Sequence, residues 1–134
     1  MSPSRLFERL VAAQNARDVD AFVACFAPDY RSEQPAQPDR AFIGNEQVRK
    51  NWSSIFAAFP DFRAELLASA ERDGTAWGEF EWHGTRSDGS RLHMRGVIIG
   101  TVRDDRLAAA RLYMSDVQAG AGIDEAVSAM AARR

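Results

Sequence analysis

Thr75-Ala76-Trp77-Gly78-Glu79-Phe80-Glu81-Trp82-His83-Gly84-Thr85 decides the fold. Ala76, Gly78, Phe80 and Trp82 fall on one side, and Trp77, Glu79, Glu81 and His83 on the other. That is the period of a strand with two unlike faces. Asp73-Gly74, just before it, reads as a hairpin turn, because both central residues of a type I′ turn need positive φ. Outward from this strand the pattern repeats. Phe62, Ala64, Leu66 and Ala68 alternate with Arg63 and Glu65. Asp88-Gly89 marks a second turn, Arg91 to Arg103 a long strand, Asp104-Asp105 a third turn, and Arg106 to Val117 a last strand. Four long strands joined by tight turns make an antiparallel meander. Gly78, Gly96 and Gly100 lie inside strands, where glycine marks a bend or bulge, so the sheet is expected to curve.

Upstream the period is helical. Ser2-Pro3 opens a helix, with serine as cap and proline in the first turn, and Leu6, Phe7, Leu10 and Val11 form its stripe as far as Asn15. Asp18 caps a short second helix carrying Val19, Phe22, Val23 and Phe26, ended by Pro28. Asp29 to Gln34 reads as a short strand, Tyr30 and Ser32 on one side, Arg31 and Glu33 on the other. Pro35 and Pro38 make the next segment a loop, placed to lie over a pocket mouth. Gly44-Asn45 starts the third helix, whose Val48, Trp52, Ile55, Phe56 and Phe59 form the cleanest amphipathic stripe, ended by Pro60. So bulky an apolar face must lie on a sheet. The fold expected is a single α+β domain over residues 1–134. Its core spans about residues 6–117, in the order α-α-β-α-β-β-β-β. Residues 118–134 form a C-terminal extension with a short helix from Asp124.

The bulk numbers agree with one ordinary globular domain: 134 residues, 46% apolar, 27% charged, net charge −2. Basic residues are scattered, which gives no electrostatic reason to expect nucleic acid or an anionic membrane as partner. Cys25, the single cysteine, sits in an apolar run and reads as a small buried hydrophobe. No basic start precedes an apolar stretch, and no apolar run approaches the ~20 residues of a membrane helix. The expected location is therefore cytoplasmic.

Several short segments resemble the SnoaL-like, or nuclear-transport-factor-2-like, superfamily. Phe26-Ala27-Pro28-Asp29-Tyr30 is similar to its lead into the first strand. Phe42-Ile43-Gly44-Asn45-Glu46-Gln47-Val48 is similar to its loop into the third helix, and Phe59-Pro60-Asp61-Phe62 to its helix-to-strand corner. His83-Gly84-Thr85 and the run from Asp105-Arg106-Leu107 through Tyr113-Met114 are similar to its late strands. The resemblance implies a conical α+β barrel, with three N-terminal helices on a curved, mainly antiparallel sheet and a pocket between them. It implies homodimerisation through the outer sheet face. It does not imply one reaction, because the superfamily holds steroid isomerases, polyketide cyclases, epoxide hydrolases, dehydratases and non-catalytic binding proteins. Asp116 matches the acidic residue that closes the last strand of the cyclases. Arg86 stands where those cyclases often place a histidine after Gly-Thr, and the first two members of the Asp-Arg-Asp arrangement of the epoxide hydrolases have no convincing counterpart here.

From these residues a candidate site follows. Asp116 shares strand parity with Ala108, Ala110, Leu112 and Met114; facing inward, it would be desolvated and act as a general base. His93 is a proton relay or electrophile, and Tyr30 a hydroxyl donor to a developing oxyanion. Glu33 is an alternative base, or a substrate contact at the lid-like loop. Trp52, Phe56, Phe80, Trp82 and Met114 are the apolar walls. His83 shares a face with Glu79 and Glu81 and reads as structural. A metal held by His83, His93 and a glutamate lacks the compact spacing of a known motif, so no metal and no cofactor is assigned. The expected function is cofactor-independent acid/base catalysis of the isomerase, cyclase or dehydratase type on a small hydrophobic carbonyl compound. The alternatives are a non-catalytic module that binds a small hydrophobic molecule or a protein partner, and a dimeric structural domain with a filled cone.

Overall fold

The computed structural model describes residues 3–132; the Ser2 cap and Arg133-Arg134 lie outside the described residues. Helices α1 (Pro3–Ala16) and α2 (Val19–Val23) lead into strand β1 (Phe26–Glu33). A 3₁₀ turn (Pro38–Arg40) and a two-residue strand β2 (Phe42–Ile43) precede α3 (Asn45–Ala58). The meander follows as β3 (Arg63–Arg72), β4 (Thr75–Thr85), β5 (Arg91–Arg103) and β6 (Arg106–Asp116), with α4 (Ile123–Ala131) after it. The six strands form one sheet in the order β2-β1-β6-β5-β4-β3. Only β1 and β6 run parallel; every other pair is antiparallel. The sheet curves but does not close, so the cone is a trough roofed by α1, α2 and α3.

The local chemistry explains most boundaries. The Asp18 carboxylate accepts the Ala21 amide at 3.0 Å and caps α2. Asp73 and Gly74 both take positive φ, as a type I′ turn demands, and so do Asp104 and Asp105 without any glycine. Two expectations change. Helix α2 stops at Val23, and Pro28 lies inside β1. The β1–β6 register shifts between Phe26 and Arg31, and this irregular stretch accommodates a residue with no amide to donate. The proline-containing loop also holds β2, which the sequence pattern does not reveal: Phe42 and Ile43 pair with Ser32 and Arg31.

Each long strand has a concave face toward the helices and a convex face away from them. Phe7 of α1 lies on a floor made by Gly78 of β4 and Gly100 of β5; a Cβ on Gly78 would stand 2.8 Å from its ring. Phe7 is fully buried and meets Phe80 edge-on at 5.2 Å. A second cluster, Phe56, Phe59, Phe62, Ala64 and Trp82, fills the other end, and half-buried Trp52 packs against both. Asn15 ties α1 to the sheet edge. Its amide donates to the Ala64 carbonyl at 3.0 Å and accepts from the Ala64 N–H at 2.7 Å. Among the described residues, no helix is long and apolar enough to cross a membrane.

Candidate functional site

The trough encloses a cavity of about 480 Å³. Leu10, Phe22, Phe26, Trp52, Phe80, Trp82, Ile98 and Leu112 give it apolar walls. Helix α1 supplies Gln14, and β1 supplies Tyr30 and Ser32 from one strand face. These three polar residues are 3%, 3% and 6% exposed. Exposed Arg40, Lys50, Asn51 and Ser54 border the opening, where Arg40 donates to the Gln34 side-chain carbonyl at 3.1 Å.

Burial sets the electrostatics of this lining. It pushes the Tyr30 hydroxyl up to about 12, with the neighbouring Ser32 hydroxyl pulling the other way. Tyr30 therefore stays protonated at neutral pH, with a proton to donate and no capacity to act as a base. The Gln14 side-chain amide has no hydrogen bond to another described residue. Among the described residues, the Trp82 indole N–H is buried without a partner. Buried polar groups are ordinarily paired, so this orphaned indole N–H beside the cavity calls for an explanation. No carboxylate or imidazole belongs to the lining.

The sequence-derived candidates divide accordingly. Tyr30, Trp52, Phe80 and Trp82 line the cavity. Phe56 and Met114 belong to the packing beside it. Glu33 is exposed and stands opposite Arg111 in the β1–β6 register. Asp116 keeps the inward parity of Leu112 and Met114, opposite Met94, yet its side chain is exposed. The carboxyl at this strand end is thus open to solvent, where the sequence pattern suggests burial. His93 stands directly opposite His83 on the convex face, away from the cavity. Its Nε2 lies 2.8 Å from Glu81 Oε2, and the two imidazoles stack with centroids 4.5 Å apart.

Gln14 and Ser32 are cavity residues that sequence reasoning missed. Ser32 was within reach, since it shares a strand side with Tyr30. Gln14 also had a signal: it continues the Leu6-Leu10 spacing of α1 with a polar side chain where the stripe calls for an apolar one.

The SnoaL-like domain model matches residues 7–110. The chain belongs to the SnoaL-like family. Solved structures share the fold of this SnoaL-like chain. IdmH from Streptomyces antibioticus, a proposed polyketide cyclase, is 21% identical with a TM-score of 0.74, covering 85% of this chain and 92% of its own. A cystatin-fold protein from Novosphingobium aromaticivorans is 21% identical with a TM-score of 0.69, covering 84% and 98%. A protein with a ketosteroid isomerase-like fold from Catenulispora acidiphila, in complex with trimethylamine, is 14% identical with a TM-score of 0.71, covering 84% and 86%. No curated protein matches the chain.

Proposed function

We propose that the cone binds a small, mainly apolar, uncharged molecule carrying a carbonyl or hydroxyl oxygen. The supporting observation is the buried neutral set of Gln14, Tyr30 and Ser32 in an otherwise apolar cavity. Aromatic walls with a few convergent polar groups are the usual design for such ligands. A protonated Tyr30 donates to a carbonyl oxygen, and the Gln14 amide can donate or accept beside it. The absence of charge in the buried lining disfavours an ionised ligand, because burying a charge without a partner is costly.

Proton-transfer catalysis is the second reading. It draws support from the fold shared with the proposed cyclase IdmH and from Tyr30, which suits an oxyanion donor. It needs a base, and Asp116 at the end of the roofed region is the candidate.

The test is mass spectrometry of material extracted from purified protein, followed by calorimetric titration with a neutral bicyclic ketone. Saturable binding, weakened in Tyr30→Phe and Trp52→Ala, supports the cavity reading; no binding by any neutral apolar ketone counts against it. Asp116→Asn separates the two readings. Turnover lost only in that variant supports catalysis, and unchanged turnover removes the Asp116 assignment.

Pairing of two copies through the convex face belongs to the same proposal. Trp77 and Tyr113 stand there 40% and 43% exposed, with half-buried Val97 and Ile99 on the same face. Sedimentation velocity of Trp77→Asp against the parent chain tests it.

A further inference from the structure

The geometry points to a divalent transition-metal site on the convex face, formed by Glu81, His83 and His93. Strand register brings the three together. His83 of β4 and His93 of β5 are direct cross-strand partners, and Glu81 precedes His83 by two residues on the same face. One carboxylate spans both rings: Glu81 Oε2 lies 2.8 Å from His93 Nε2, and Oε1 lies 3.5 Å from His83 Nε2. The three donor atoms lie within 4.8 Å of one another. Donors around a tetrahedral zinc ion at about 2.0–2.2 Å stand roughly 3.3–3.5 Å apart. The Glu81–His83 contact already has that spacing, the Glu81–His93 contact is shorter, and side-chain rotation has to even out the set.

The surroundings favour the same assignment. The side chains are 18% exposed for Glu81, 32% for His83 and 36% for His93, which leaves them reachable yet partly shielded from water. Two neighbouring cations are paired with other acids: Arg95 with Glu79 at 3.3 Å, and Arg63 with Glu65 at 3.2 Å. Glu81 is thus left to the imidazoles. A recess bordered by Asp61, Arg63, Glu65, His83 and Arg91 opens alongside, with room for water as a further ligand. Two imidazoles and one carboxylate suit zinc, cobalt or nickel, whereas magnesium and calcium prefer oxygen-only sets. Metal at both Nε2 atoms requires each ring as its Nδ1–H tautomer, with the carboxylate bonded to the ion instead of to the rings. This site lies across the sheet from the cavity and stands or falls independently of the small-molecule reading.

The experiment is titration of the chelator-treated full chain with Co²⁺, read by visible absorption. A saturable ligand-field spectrum is expected at no more than one ion per chain, displaced by Zn²⁺ and unaffected by Mg²⁺. The chain has two histidines, both in this cluster, so its imidazole NMR signals report on this site alone. Both should broaden together on adding Co²⁺ to the unaltered protein. The His83→Ala/His93→Ala double variant should weaken binding by more than the roughly 100-fold that loss of an outer-shell partner costs. Glu65→Gln, whose carboxylate lies outside the cluster, should retain it. An unsaturable titration, imidazole signals that do not respond, or a spectrum that survives in the double variant would overturn the assignment.

Discussion

The two faces of β4 and β5 share a backbone and little else. On the concave side, Phe80, Trp82 and Ile98 meet neutral polar groups in a largely apolar cavity; on the convex side, Glu79, Glu81, His83, His93 and Arg95 pair among themselves. A sheet roofed on one side sorts its chemistry by parity: titratable groups go where water can reach them, and neutral donors are kept where it cannot. The side able to bind an apolar molecule is therefore poor in acids and bases, and the side rich in them faces outward.

The largest effect should come from the concave floor. Phe7→Ala should cost about 3–5 kcal/mol by urea unfolding, because the glycines beneath cannot refill the void. Trp77→Ala on the convex face should cost under about 1 kcal/mol at concentrations that keep the chain monomeric. Similar losses would erase the contrast between the faces.

Tyr30→Phe comes next. Losing one donor should weaken a bound ketone by roughly tenfold, the upper end of a neutral hydrogen bond. The same residue has a signature in stability. Its folded pKa of about 12 lies above its ordinary value of 10, so the folded state holds a proton that the unfolded chain gives up. This contribution is fully present below pH 10 and is lost as pH rises toward about 12. Tyr30→Phe should flatten that alkaline decline in urea midpoints.

Asp61→Asn should act more weakly and at the other end of the pH scale. Hydrogen bonds from the Thr85 hydroxyl and from the Thr85 amide, the latter at 2.8 Å, hold the Asp61 carboxyl below its usual range. The stability this gives is present above the unfolded pKa and lost as pH falls through the lower folded one. The gap between parent and variant should therefore narrow on acidification. The smallest effect expected is on ligand affinity in Asp116→Asn, since that carboxyl lies outside the lining; a tenfold fall in calorimetry would draw Asp116 back into the site.

The meander was legible because alternation and Asp73-Gly74 are local signals, and the stripe from Val48 to Phe59 needed a sheet beneath it. Strand β2 was not, because two residues become a strand only through a remote partner, β1. Alternation sets Asp116 on the side of Leu112 and Met114, but no pattern within β6 says that a side chain at the strand's end lies exposed. His93 offered a clue that went unused. His83 shares its strand face with Glu79 and Glu81, and the hairpin through Asp88-Gly89 sets His93 opposite it. Gln14 shows the reverse case: a polar residue on an apolar stripe looks like an imperfection until a cavity is found under it.

Asn15 has a meaning beyond tethering a helix. Strand β3 lies at the margin of the sheet, where an unsatisfied backbone would recruit any neighbouring chain. The carboxamide answers both groups of Ala64 much as another strand's peptide unit would, and Arg17 takes the Phe62 carbonyl at 3.2 Å. Helix α1 thereby acts as a selvedge at the start of this border, taking the backbone groups that another strand would use there. Without Asn15, the hazard at this border is self-templated stacking between molecules, a failure that begins with the native state still intact.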